Sequence, residues 1–190
     1  MTRRVISIIN QEIIDATRRW VEKAVIGLGL CPFAESVYRR DGVRFHVSEQ
    51  RSAAGLLEEL RSELMHLHLT DARQCDTSLL IHPWVLNDFT EFNDFLQICD
   101  ETVVELDLEG EIQVASFHPQ YQFAGTEPAD IENFTNRSPY PTLHLLREAS
   151  VEGALAAIDD PASIYQHNIR KLRELGFGGW EAMWTDKRDH

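Results

Sequence analysis

Apolar residues recur along the chain in two rhythms, one of three to four residues and one of two, and their succession predicts the architecture. Ile9, Ile13, Ala16, Trp20 and Ala24 share one face of a helix over roughly residues 8–28, with Gly27 and Gly29 as its stop. Val43, Phe45 and Val47 then alternate with Arg44 and His46, the signature of a short strand. Residues 53–69 set Leu57, Leu60, Leu64 and Leu67 on one helical stripe behind Ser52, a favourable cap. Thr77–Ile81 reads as a second strand. Asp88 and Glu91 open a helix over about residues 89–106, whose stripe of Phe92, Phe95 or Leu96, Cys99, Val103 and Leu106 makes Cys99 a core residue. Ile112–Phe117 reads as a third strand.

Strand, helix, strand, helix, strand over residues 43–117 predicts an α/β fold with a mostly parallel central sheet of three or more strands and flanking helices, in two or three layers. A ferredoxin-like α+β sheet is the alternative, because three strands underdetermine the topology. Residues 117–148 follow, holding four of the seven prolines and little apolar periodicity. Connections beyond roughly 12–15 residues are usually functional or disordered. Phe117, Tyr121, Phe123, Phe134 and Tyr140 supply too many anchors for disorder, so the stretch reads as an ordered loop that builds a site. Within it, Pro141 can open a short helix over residues 142–149. Ser150 caps a helix through Ile158, and another follows over residues 162–175, ended by Gly176, so that C-terminal helices fill residues 151–175. The aromatic tail to Trp184 packs down and the last few residues fray. Nothing marks an internal repeat or linker, and residues 1–190 read as a single domain.

Composition narrows the partners. A chain of 190 residues with 43% hydrophobic and 26% charged content is an ordinary globular one. Its formal net charge of −13 opposes nucleic acid and anionic membranes as partners, since either needs a basic face. No apolar run approaches the ~20 residues of a membrane span, and the basic start meets Gln11, Glu12 and Asp15 before a signal core develops. Cys31, Cys75 and Cys99 form no CxxC pair, which fits a reducing cytosol. The expectation is a soluble cytoplasmic protein, its oligomeric state left open.

Candidate chemistry gathers at two strand ends. Both Leu79–Pro83 and Ala115–Pro119 close in His-Pro, where proline ends the pairing and leaves His82 and His118 last. In a parallel sheet both would lie at one rim, outside the carboxyl ends of the strands. On the predicted helix 142–149, His144, Arg147 and Glu148 share a face. One reading is an anion site. Arg137 and Arg147 clamp a phosphate or carboxylate, Asn133, Asn136 and Ser138 orient it, and His118, aided by His82 or His144, moves protons. A second is a hydrolytic metal site, with His82, His118, His144 and a carboxylate (Glu148, Asp130 or Glu127) holding zinc or another divalent ion. No motif requires a cofactor. A third reading is a non-catalytic interaction module in which the loop's polar residues hold the loop itself, so sequence alone does not settle that the protein is an enzyme. Cys31, before Pro32, caps a short helix either as an activated thiolate or, as free cysteines more often are, as a buried small residue.

The segments Gly27–Ala34, Ser116–Pro119, Tyr121–Thr126 and Asn136–Pro141 resemble the family of domain of unknown function 1415, and the resemblance covers nearly the whole chain. It implies a cytosolic, single-domain bacterial protein. It carries neither a reaction nor site residues that could be transferred here.

Overall fold

In the computed structural model, residues 3–156 and 163–185 are described. Helix α1 (Arg3–Trp20) runs into one wide π-helical turn (Val21–Ile26), in which Gly27 N–H reaches back five residues to Glu22 C=O. The turn stops at Gly29, whose φ of 68° suits a residue without a Cβ. Helix α2 (Ala34–Arg39), strand β1 (Val43–Val47), helix α3 (Ala53–Leu69), strand β2 (Thr77–Ile81), helix α4 (Phe89–Glu105) and strand β3 (Ile112–Phe117) follow in the predicted order. Ser52 caps α3 through Gly55 N–H, and Asp88 caps α4 through the N–H groups of Thr90 and Glu91.

Residues 142–149, expected as a helix, instead form strand β4 (Thr142–Arg147), and helix α5 (Glu148–Leu155) begins only after it. Leu143 and Leu145 are fully buried on one side while His144 and Leu146 face the other, which is alternation of two. Strand β4 lies inside the sheet with a neighbour on each flank. A strand covered on both faces reads as an almost continuous apolar run, and such a run resembles a short helix. His144, Arg147 and Glu148 therefore share no helical face. Ser150 does not cap α5 but donates to Asp76 Oδ1 at 2.5 Å. The expected helix end at Ile158, the start at Ala162 and the frayed last residues lie outside the described residues. Helix α6 (Ser163–Trp184) is broken at Gly176 (φ 64°), the predicted stop.

The sheet is mixed, with order β1-β2-β4-β3. Strands β1 and β2 pair in parallel, whereas β4 is antiparallel to both β2 and β3. One face is closed by α3 and α4. Leu56, Leu60, Leu64 and Leu67 are fully buried there against Leu80, Leu143, Leu145 and Ile112, each side chain worth about 1.5–3 kcal/mol in burial. Cys99 lies in this core, as its place on the stripe predicts. The other face carries α1 and the π turn, where Ile13, Trp20 and Val21 pack on Val47, Leu79 and Ile81. Among the described residues, no helix is long and apolar enough to cross a membrane.

Candidate functional site

The two His-Pro strand ends do lie at one rim. Ile81 and Phe117 both pair with Thr142, so His82 and His118 flank the start of β4 on the same sheet face. Both are fully buried under α4, with the Phe92 ring between them at 5.5 Å from His82 and 5.1 Å from His118. His82 Nδ1–H donates to Val85 C=O (2.9 Å), which leaves Nε2 an unpartnered acceptor in the core. His118 Nδ1 accepts from Gln120 N–H (3.0 Å), so its Nε2–H faces Leu86 C=O at 3.3 Å. Burial pushes His82 down to about 4 and lowers His118 as well. Both rings are neutral and enclosed.

The donors expected to hold an anion are bonded within the protein. Arg137 donates to the carbonyls of Tyr121 (3.2 Å) and Pro128 (2.6 Å) and stacks over the Phe134 ring at 4.4 Å. Asn133, fully buried, accepts from Phe123 N–H and the Thr126 hydroxyl and donates to Glu127 C=O, which pins the loop at three points. Asn136 donates to Ser116 C=O, and the Ser138 hydroxyl donates to Tyr140 C=O. Arg147, at the end of β4, reaches the carbonyls of Leu67, Thr70 and Cys75 and closes the C-terminus of α3. A depression of about 360 Å³ does lie at the rim beside Arg137, Gln120 and Gln122. The Asp88 carboxylate caps α4 at its edge, so an anion entering there meets a like charge.

A different space opens on the opposite sheet face. A cleft of about 580 Å³ lies between the π turn and α2 on one side and α5 on the other. Its floor is two rows of in-register residues, Leu79–His144–Ala115 and Thr77–Leu146–Gln113, running across β2, β4 and β3. Its walls are mostly apolar, among them Trp20, Val25, Phe33 and Val151. The wide π turn aims Val21 and Val25 at the floor, and Trp20 meets Phe117 edge-on at 5.0 Å. Arg40 and Asp76, on the wall, form an ion pair. Cys31 also lines the cleft. Burial raises its pKa more than the N–H groups of Phe33 and Ala34 lower it, so it is no activated thiolate.

His144 is the polar group of the row Leu79–His144–Ala115, with Thr77 and Gln113 at the two ends of the neighbouring row. The structure thus puts it on the face away from His82 and His118, because β4 turns alternate residues to opposite sides. Among the described residues, no group of three or more His, Cys, Asp or Glu side chains could hold a metal ion. The floor residues Thr77, Leu79 and Ala115 were not anticipated as part of a site. The small Ala115, in a strand otherwise richer in bulk, is the one sequence feature that hinted at space there.

A charged cluster also sits against the sheet, between β1 and α3. Arg44 forks onto Glu63 (2.9 and 3.0 Å), Ser78 donates to Glu63 (3.1 Å), and His46 bonds Glu59 at 2.8 Å. Burial alone would raise the Glu63 carboxyl, but the Arg44 hydrogen bonds and the charges of His46 and Arg44 bring it net below the ordinary value. Inward charges on an edge strand also discourage pairing with another chain.

Fold and site together define a small α/β domain with a four-stranded mixed sheet, helices on both faces, and a cleft between helices on one of them. The chain belongs to the family described as Protein of unknown function (DUF1415), which it matches over residues 12–182. No curated protein and no solved structure matches it.

Proposed function

We propose that the protein binds a small organic molecule in the cleft on the sheet face between the π turn, α2 and α5. The observation that carries the reading is a volume of about 580 Å³, inside the range of small-molecule sites, lined mainly by apolar side chains with few polar groups. Four strands and four helical segments (the end of α1, the π turn, α2 and α5) contribute to it, which is how a rigid scaffold holds a ligand. The alternative at the rim keeps one point in its favour, since Arg137 borders a depression there. Against it stand the loop carbonyls that already occupy Arg137, Asn133, Asn136 and Ser138.

The test is a thermal-shift screen of fragments and metabolites against the parent chain, Ala115→Phe and Arg137→Met. Ligands of the cleft raise the melting temperature of the parent and of Arg137→Met, and have no effect once phenylalanine fills the floor. Ligands that still stabilise Ala115→Phe but not Arg137→Met would move the site to the rim.

A further inference from the structure

The hydrogen bonds under the cleft fix which nitrogen of His144 carries the proton. Thr77 Oγ1 lies 2.6 Å from Leu145 C=O and 2.7 Å from His144 Nε2. A carbonyl cannot donate, so the single hydroxyl proton of Thr77 goes to Leu145. The proton between Thr77 and the imidazole must then be the ring's own, and His144 is the Nε2–H tautomer. Its Nδ1 is left as a bare acceptor.

That nitrogen faces open space. Among the described residues His144 has the Thr77 bond and a ring contact with Phe117 at 5.8 Å, and no partner for Nδ1. Among the described residues, the buried side-chain atoms without a partner are His82 Nε2 and Asn168 Oδ1, so His144 Nδ1 is not sealed. His144 lines the cleft, flanked in register by Leu79 and Ala115, neither of which offers a polar side chain. The lone pair therefore opens into an apolar cleft, where an unmet acceptor is costly and a matched donor is favoured.

We propose that the cleft takes a neutral, mostly apolar molecule carrying one hydrogen-bond donor, and that His144 Nδ1 is the group that reads this donor. The proposal rests on the cleft being the binding site and adds the chemical class of the ligand. Burial holds the ring down to about 4, so it remains an acceptor rather than a cation at neutral pH. The charged wall residues Arg40 and Asp76 neutralise each other, and Arg147 is engaged by the carbonyls at the end of α3. A carboxylate at the floor would set its own lone pairs against that of Nδ1 with no cation to offset them. The class expected from the loop arginines, an anion, is the class this cleft disfavours.

The experiment uses probe pairs of matched shape, indole against benzofuran and phenol against fluorobenzene, with benzoate as the anionic control. Binding is read by the amide shifts of cleft residues. The member with a donor should bind roughly tenfold more tightly than its partner, and benzoate should not bind. The ¹⁵N spectrum of the parent chain should show Nε2 of His144 protonated and Nδ1 bare, with Nδ1 shifting when indole is added and not with benzofuran. His144→Phe should bind both members of a pair alike. Thr77→Val, which frees the tautomer, should narrow the preference while the ring remains. Equal affinities within each pair for the parent chain, tighter binding of benzoate, or a proton found on Nδ1 would overturn the role of His144 and leave the cleft as a site. If no probe binds the parent chain, the cleft reading itself falls, and this inference with it.

Discussion

His82 and His144 are the same residue type, one just past the end of β2 and the other within its neighbour β4, and both are pushed to about 4 by burial. They differ in where the free nitrogen points. His82 Nε2 ends in the core beside Phe92, while His144 Nδ1 opens on the cleft. The two faces of the sheet differ in the same way. The α3–α4 face is filled by leucines and phenylalanines, and the α1–α5 face is filled only at its α1 end. A depressed histidine pKa therefore marks burial, and only the surrounding volume separates a stability residue from a recognition residue.

The largest effect should come from the filled face. Phe92→Ala removes the ring between His82 and His118 and should cost about 3–5 kcal/mol in urea unfolding. Leu146→Ala, on the floor of the cleft, should cost clearly less because its side already borders open space. Equal losses would remove the distinction between the faces.

Acid should act next. His82 titrates near 6.5 when unfolded and near 4 when folded, so the unfolded chain binds the extra proton between those values. Stability is fully present above pH 6.5, falls as pH drops toward 4, and stops falling on this account below it. The loss from His82 is about 3 kcal/mol, with a smaller share from the partly open His144. His82→Asn should flatten the stability–pH curve in that window, measured by denaturant titrations at each pH.

Arg147→Met should cost about 1–3 kcal/mol, since it strips donors from the carbonyls of Leu67, Thr70 and Cys75. Arg137→Met should cost less, because its guanidinium is partly in water. A variant of either arginine that kept full stability but lost ligand would return them to a binding role. The smallest effect is kinetic. Cys31 should alkylate more slowly than an unhindered thiol yet faster than the core residue Cys99, whose burial pushes it up to about 12, and indole in the cleft should slow it further.

Local signals carried most of the fold. The Ser52 and Asp88 caps, the succession of three strands and two helices over residues 43–117 and the Gly176 break are each set within a few residues and found where the pattern puts them, while the α3 stripe buries Leu56 where Leu57 was expected. Strand β4 was not legible, because Leu143 and Leu145 on one face and Leu146 on the other put leucine on both, and its hydrogen bonds come from partners 60 or more positions earlier in β2 and about 30 earlier in β3. That single inversion also hid the cleft. Its floor joins Thr77, Ala115 and His144, which no spacing rule connects, and moves His144 away from the His-Pro rim. The loop was recognisable as ordered and polar, but sequence could not tell that Arg137 and Asn133 serve the loop's own carbonyls.

The most direct test is a map of amide shift changes in ¹⁵N-labelled protein titrated with indole. The cleft predicts saturable changes at Val25, Cys31, Leu79, Ala115 and Leu146 that disappear in Ala115→Phe. Changes gathered at Thr90, Gln120, Gln122 and Arg137, with the floor of the sheet silent, would contradict it.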